Sequence, residues 1–117
     1  MQTHLATHHY RLMRILAGRF RGRRLMAPPG FTTRPTAQRT REALFNILEH
    51  GNLSQGDQPL VAGAHVLDGF SGSGALGFEA LSHDAAHVTM IDHDPKAIAI
   101  ARNNVMALDV ASQVTLI

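Results

Sequence analysis

Residues 66–77 read Val-Leu-Asp-Gly-Phe-Ser-Gly-Ser-Gly-Ala-Leu-Gly, which predicts a short strand, a glycine-rich loop and the start of a helix. Backbone amides at a helix N-terminus carry partial positive charge and attract anionic or polar ligand groups. Gly72, Gly74 and Gly77 have the G-x-G-x-x-G spacing of the dinucleotide-binding fold. Because glycine turns also follow strands for structural reasons alone, the loop indicates a nucleotide-type ligand without identifying it.

A carboxylate at the end of this strand narrows the ligand class. Asp68 stands four residues ahead of Gly72, where its negative charge would repel the phosphates of a nicotinamide or flavin dinucleotide. The same charge could pair with an ammonium group. S-adenosylmethionine has no phosphate and carries both an ammonium and a sulfonium, so the sequence favours it over a dinucleotide.

A second acidic residue supports a nucleoside ligand. Segment 88–92 predicts the next strand and ends on Asp92, 20 residues beyond Gly72. An acidic residue near this spacing binds the ribose hydroxyls in nucleotide-binding folds. Asp94 precedes Pro95 and is interpreted as the N-cap of the following helix. The predicted cofactor-binding residues are Asp68, Phe70, Gly72, Ser73, Gly74, Asp92 and His93.

Charge is distributed unevenly along the chain. Residues 1–41 contain nine arginines and no acidic residue, whereas residues 42–117 contain all nine acidic residues and two basic ones. Guanidinium groups bind phosphate in a bidentate manner and stack on bases, so this arrangement indicates an enzyme that binds nucleic acid. The alternative is a charged arm that is merely solvated. The predicted nucleic-acid contacts are Arg14, Arg19, Arg21, Arg23, Arg24, Arg34, Arg39 and Arg41.

Length and composition limit the class of protein. The 117 residues allow a single domain. The chain has no cysteine, which excludes disulfides and thiolate metal sites, and we assign no metal-binding residue. Its apolar stretches end well before the roughly 18 residues that a membrane span needs, and no secretory signal is visible. We therefore expect a cytoplasmic protein with no membrane partner.

The order of the predicted elements indicates an α/β fold. A basic hairpin is expected over 13–25 and a helix over 36–50. Strands and helices then alternate at 66–68, 75–82, 88–92, 95–107 and 113–117. This alternation is typical of a doubly wound, Rossmann-like parallel sheet. Asn103 and Asn104 are interpreted as the polar end of the last helix.

Five motifs occur in the order found in one known family. They are MRILAG at 13–18, RGRRL at 21–25, RPT at 34–36, REALFNIL at 41–48 and LDGFSGSGALGFEALS at 67–82. Over residues 13–117 the chain resembles the N-terminal part of the RsmD-type bacterial methyltransferases, which methylate the exocyclic N2 of one guanine in 16S ribosomal RNA. The resemblance implies a Rossmann-like S-adenosylmethionine-binding fold, with Asp68 and the glycine loop against the methionine part of the cofactor and Asp92 at its ribose.

The resemblance also implies a partner and a division of the chain. The basic hairpin and the RPT segment would face RNA or the cofactor entrance, and the partner would be ribosomal RNA or the small-subunit particle. We expect a disordered extension at 1–12, a basic hairpin and RNA-facing arm at 13–35, and a partial cofactor-binding domain at 36–117. Three parallel strands in the order 3-2-1 would leave the first strand at an open edge.

Two departures from the family pattern are expected to matter. Gln38 stands where the family commonly has an acidic residue after the RPT motif. The family's Asn/Asp-Pro-Pro-Phe/Tyr motif, whose oxygens orient the target amino group and whose ring stacks on the base, does not occur in this sequence. We therefore expect the N-terminal half of such an enzyme, inactive by itself, with no catalytic residue assigned. Residues 1–12 precede the part of the chain that resembles the family, so the authentic start is either Met1 or Met13.

Three other functions stay open at this point. One is a non-catalytic RNA- and nucleotide-binding remnant, and another is an amino-methyltransferase that acts on DNA or a different RNA. The third is a dinucleotide-dependent oxidoreductase, which Asp68 and the arginine-rich segment disfavour. Calorimetry with S-adenosylhomocysteine and with NAD would separate the third from the others, and activity on ribosomal subunits would separate an enzyme from a remnant.

Overall fold

The computed structural model describes residues 11–27, 35–51 and 60–117. Its elements in chain order are β1 (Arg11–Arg14), β2 (Arg24–Ala27), α1 (Pro35–His50), β3 (His65–Asp68), α2 (Ala75–Ser82), β4 (His87–Met90), α3 (Pro95–Leu108), a 3-10 turn (Ala111–Gln113) and β5 (Val114–Leu116). The predicted order of elements is confirmed. The expected disordered extension lies outside the described residues up to residue 10, and residues 11 and 12 belong to β1.

The parallel sheet has the strand order β3-β4-β5, and the hairpin strands β1 and β2 form a separate antiparallel pair. Val66 lies opposite Val88, which lies opposite Val114. Parallel neighbours joined by helices α2 and α3 confirm the predicted Rossmann-like arrangement. In the described part of the chain β3 pairs only with β4, and Leu67 on this open edge is exposed.

Local sequence signals set the ends of α3. The Asp94 side chain caps the helix by accepting a hydrogen bond from the Lys96 amide at 2.9 Å, and Pro95 follows the cap. The helix ends at Leu108, and its C-cap residue Asp109 adopts the left-handed conformation with φ 57°. The interpretation of Asp94 as a cap is confirmed.

No helix within the described ranges is long and apolar enough to cross a membrane.

The hairpin and the parallel sheet share one hydrophobic core. Met13 and Leu25 of the hairpin are buried in the same cluster as Phe78 of α2 and Val88 of β4. Each such side chain stabilises the fold by roughly 1.5–3 kcal/mol when it is fully buried. The sequence predicts an RNA-facing arm over 13–35. In the structure, one face of its hairpin packs against the parallel sheet and its helices.

A buried carboxylate fastens the hairpin to α2. Glu79 is 1% exposed and accepts hydrogen bonds from the amides of Leu16 at 3.0 Å and Ala17 at 3.1 Å. Its oxygens also lie 3.3 Å from Arg41 Nε and 3.4 Å from His83 Nε2. Because a buried charge is tolerated only when it is paired and hydrogen-bonded, Glu79 holds the hairpin, α1 and α2 together.

Candidate functional site

Strands β3 and β4 end side by side, and each leads to a predicted ligand-binding acid. Asp68 is the last residue of β3, and Asp92 lies two residues beyond the end of β4. The Gly72 amide donates a hydrogen bond to Asp92 Oδ2 at 2.8 Å, and the Ser71 amide donates to the Ile91 carbonyl at 3.0 Å. The glycine loop therefore lies across the ends of both strands, where open α/β sheets bind ligands.

The Asp68 carboxyl group has one oxygen that the described residues leave unpaired. Its Oδ2 is buried and has no hydrogen-bond partner among them. Burial raises the pKa of Asp68, the Asp92 charge acts in the same direction, and hydrogen bonds from the amides of Phe70 and Gly77 act against both. A buried carboxylate oxygen without a hydrogen-bond partner is unfavourable, so a cationic group at Oδ2 would form a strong charge-assisted hydrogen bond.

Asp92 is an ionised carboxylate with acceptor capacity to spare. Its Oδ1 accepts a hydrogen bond from the Asp94 amide at 2.9 Å, in addition to the bond from Gly72 to Oδ2. The Asp94 and Gly72 amides lower the pKa of Asp92, and Asp94 has the larger effect. A carboxylate has about four lone-pair sites, so each oxygen retains one for a ligand hydroxyl.

The three glycines of the G-x-G-x-x-G spacing have different roles. A Cβ atom at Gly72 (φ +55°) would meet no atom within 4 Å. A Cβ atom at Gly74 (φ +100°) would lie 2.4 Å from Phe78 Cε2, and one at Gly77 would lie 2.5 Å from Met90 Cε. Gly74 therefore leaves room for the Phe78 ring of α2, Gly77 allows α2 to pack closely on β4, and Gly72 leaves open space beside the loop.

Replacing Gly74 with alanine should destabilise the protein more than replacing Gly72 with alanine. Both positions have left-handed backbone, which costs a non-glycine residue about 1–2 kcal/mol. In the Gly74→Ala variant, the clash of the new Cβ atom with Phe78 adds about 1–3 kcal/mol of overpacking. The Gly72→Ala variant has no such clash. Urea denaturation followed by circular dichroism measures the difference. Equal losses in the two variants would contradict the packing role of Gly74.

The other predicted cofactor residues differ in exposure. Phe70 is 92% exposed, and the His93 side chain is also exposed, with Nδ1 3.7 Å from Asp92 Oδ1. Both rings are accessible to a ligand. Ser73 is 2% exposed, and its hydroxyl has no hydrogen-bond partner among the described residues. The Ser73 side chain is therefore not accessible to a ligand in this structure.

Most of the predicted RNA-binding arginines lie on the surface. Arg34 lies outside the described residues. Arg19 Nη2 donates to Gln113 Oε1 at 2.9 Å, and Arg23 Nη2 donates to the Ala107 carbonyl at 2.8 Å, so both exposed side chains are partly engaged within the protein. Four exposed arginines have no such side-chain bond to another described residue, and they are Arg14, Arg21, Arg24 and Arg39.

Arg41 requires a correction to the predicted RNA contacts. Its side chain is 7% exposed, and its Nη2 donates a hydrogen bond to the Arg14 carbonyl at 2.7 Å. Burial lowers the pKa of Arg41, and the charge of Glu79 opposes that effect. The guanidinium therefore lies inside the protein as the partner of Glu79, because its side of α1 packs against the hairpin and α2.

Asn104 lies in the core, although the sequence suggests a polar helix end. It is 1% exposed, its Oδ1 accepts a hydrogen bond from the Met26 amide, and its Nδ2 donates to the Ser73 carbonyl. The helical spacing could have predicted this burial, because Asn104 follows buried Ile100 by four residues and buried Ala101 by three and so lies on the same face of α3. Glu79 on α2 is a second buried polar residue that sequence reasoning missed.

The family model described as conserved hypothetical protein 95 matches residues 13–117. The chain belongs to this family. It is the RsmD family that the five motifs indicate, so the predicted resemblance is confirmed.

Curated relatives in the RsmD family include proteins named ribosomal RNA small subunit methyltransferase D. The Escherichia coli (strain K12) protein is 46% identical over 82 residues, which are 70% of this chain and 37% of the relative. The Haemophilus influenzae protein is 39% identical over 101 residues, which are 86% of this chain and 48% of the relative. The chain therefore spans less than half of the length of these two relatives.

A solved structure of similar sequence has the same fold. The chain matches "Putative methyltransferase yhhF" from Escherichia coli with a TM-score of 0.74 and 36% identity, over 92% of this chain and 52% of that chain. The predicted fold class, the first half of a Rossmann-like methyltransferase with an N-terminal hairpin, is confirmed.

Within the described ranges no group of three or more His, Cys, Asp or Glu residues could hold a metal ion.

Proposed function

We propose that this chain forms the cofactor-binding part of an S-adenosylmethionine-dependent methyltransferase that modifies the exocyclic N2 of a guanine in small-subunit ribosomal RNA. The observation that carries the proposal is the buried, unpaired Asp68 Oδ2 beside a loop hydrogen-bonded to Asp92. The names of the relatives support the RNA substrate, and the motif resemblance supports the position on the base. The proposed location is the cytoplasm.

The residues present fit S-adenosylmethionine. Its ammonium group complements the Asp68 carboxylate, because a buried negative charge is stabilised by a hydrogen-bonded cation. Its ribose has two hydroxyl donors, and each oxygen of Asp92 retains an acceptor site. A dinucleotide would bring phosphates toward both acids, and like charges at close range repel. A cationic nucleoside is therefore the better match.

The cofactor, when bound, supplies an electrophilic methyl group on its sulfonium sulfur. The chain's own residues bind and orient: Asp68 pairs with the ammonium, Asp92 accepts the ribose hydroxyls, and the open space at Gly72 allows close approach to the backbone. Precise orientation of two reactants is a large part of the catalysis of such displacements. The exposed arginines of the hairpin bind the RNA phosphates and present the RNA to this site.

Methyl transfer by the complete natural protein tests this proposal. We expect labelled methyl groups from S-adenosylmethionine to appear as N2-methylguanosine in small ribosomal subunits, as identified by mass spectrometry of the nucleosides. Methylation of DNA or of another RNA would replace the proposed substrate. Cofactor binding without transfer would indicate a non-catalytic remnant. Binding of NAD in place of S-adenosylhomocysteine would overturn the proposal entirely.

Neutralising Arg21 or Arg24 should weaken RNA binding and reduce its dependence on salt. Each arginine that contacts a phosphate releases counterions, so removing one should lower the slope of log affinity against log salt by about 1. Fluorescence anisotropy with a small-subunit RNA fragment, at several salt concentrations, measures the slopes of the Arg21→Gln and Arg24→Gln variants. Arg102→Gln removes the same charge from the exposed surface of α3 and should leave the slope unchanged. A slope that falls equally in all three variants would contradict a binding surface on the hairpin.

A further inference from the structure

The side chain of Asn104 joins two parts of the molecule that the proposed function assigns to different ligands. Its Oδ1 accepts a hydrogen bond from the Met26 amide at 2.8 Å, and its Nδ2 donates to the Met26 carbonyl at 3.0 Å. The same Nδ2 donates to the Ser73 carbonyl at 3.1 Å. Met26 lies on hairpin strand β2, and Ser73 lies in the glycine loop. One buried amide group therefore connects the basic hairpin to the candidate cofactor site.

Two other buried polar anchors of the hairpin make no such connection to the loop. Glu79 accepts hydrogen bonds from Leu16 and Ala17, and the Ser82 hydroxyl accepts one from the Phe20 amide at 2.9 Å. Both belong to α2, and their described hydrogen bonds reach only the hairpin. Asn104 thus differs from two residues of similar burial by its bond to the glycine loop.

We propose that Asn104 is a positioning residue that couples the basic hairpin to the glycine loop, so that cofactor binding and RNA binding alter each other's affinity. This inference rests on the proposed function, because it takes the cofactor to bind at the loop and RNA at the hairpin. The buried amide has its donors and its acceptor engaged, so a shift of the loop breaks a hydrogen bond or moves the hairpin. Leaving a buried polar group unpaired is unfavourable, and the coupled movement avoids it.

Titration of the complete natural protein with S-adenosylhomocysteine, followed by amide NMR, tests the coupling. We expect the Gly72 resonance to shift because it lies in the loop, and the Met26 amide resonance to shift with the same saturation curve. An unmoved Gly72 resonance would contradict the proposed cofactor site. If the Gly72 resonance shifts and the Met26 resonance does not, the coupling is overturned and the proposed cofactor site still stands.

Two variants and a control separate positioning from general destabilisation. Asn104→Asp keeps the shape and the acceptor for the Met26 amide but replaces the donor to the Ser73 and Met26 carbonyls with an oxygen, and Asn104→Ala removes all three bonds. In either variant that folds, the Met26 shift should disappear while Gly72 still responds. Ser82→Ala removes a side chain of similar burial together with its two hydrogen bonds to the hairpin segment, from the Phe20 amide and to the Ala17 carbonyl, and should retain the Met26 shift. Should neither Asn104 variant fold, an unmoved Met26 resonance or an RNA affinity that S-adenosylhomocysteine leaves unchanged, both measured in the wild type, would still overturn the proposal.

RNA affinity gives an independent measurement of the same coupling. Linkage requires that the effect be reciprocal, so saturating S-adenosylhomocysteine should change the affinity for a small-subunit RNA fragment by about fivefold or more. The same addition should change the affinity of Asn104→Asp by less than about twofold, well below the usual range of such coupling. An equal effect of S-adenosylhomocysteine in wild type and Asn104→Asp, or no effect in wild type, would overturn the proposal.

Discussion

Replacing Asp68 with asparagine should weaken binding of S-adenosylhomocysteine by about 30-fold or more, because losing one partner of a buried charge pair costs about 2–5 kcal/mol. Asparagine keeps the size of the side chain and removes the negative charge that the ligand ammonium requires. Isothermal titration calorimetry of the complete natural protein measures the change. A variant that binds within twofold of the wild type would contradict the assignment of Asp68 to the ammonium.

The same substitution should not destabilise the folded protein near neutral pH. Burial raises the pKa of Asp68 above that in the unfolded chain, so the native state binds the proton more tightly. The free energy of unfolding therefore decreases as pH rises through the interval between the pKa of the unfolded state and that of the folded state. Asparagine does not ionise, so the variant does not lose stability in this way. Asp94→Asn is the matched control: it changes an exposed cap to another good capping residue, and both affinity and stability should stay unchanged.

The raised pKa of Asp68 also predicts the pH dependence of the affinity. As pH falls through that pKa, the carboxyl group becomes protonated, and the ligand ammonium, which stays charged, loses its partner. Affinity for S-adenosylhomocysteine should therefore fall on acidification in the wild type. The Asp68→Asn variant should lack this component and bind weakly throughout. A wild-type affinity that rises on acidification would contradict the charge pair.

Replacing Glu79 with alanine should cause a large loss of stability. The change leaves Arg41 buried without its ion partner and removes the acceptor for two hairpin amides. Breaking a buried pair in this way costs about 3–5 kcal/mol, which is a large part of the 5–15 kcal/mol that stabilises typical domains. Urea denaturation followed by circular dichroism measures the loss.

Two further variants isolate the buried pair. Glu42→Ala removes an exposed carboxylate from α1 and should change the free energy of unfolding by no more than about 0.5 kcal/mol. Adding Arg41→Ala to Glu79→Ala should cost less than Arg41→Ala costs alone, because residues in one ion pair are not additive. Strict additivity of the two substitutions would show that the pair does not act as a unit.

Much of the fold could be predicted because its signals are local. The capping pair at residues 94–95 defines the start of α3, and the alternation of strands and helices defines a parallel sheet. The position of Asp68 before the glycine loop and of Asp92 after the next strand brought both acids to one edge, because parallel strands end on the same side. For these features, neighbouring residues in the chain supply the physical constraint.

The sequence by itself therefore determined the order of elements, the Rossmann-like class and the acidic pair beside a glycine loop. Only the tertiary structure decided which polar residues are buried. Leu16 and Glu79 are 63 residues apart, and Met26 and Asn104 are 78 residues apart. An arginine such as Arg41 and an asparagine such as Asn104 have the same chemistry on a surface or in a core. Their roles depend on which distant segments pack around them, and no local pattern specifies that packing.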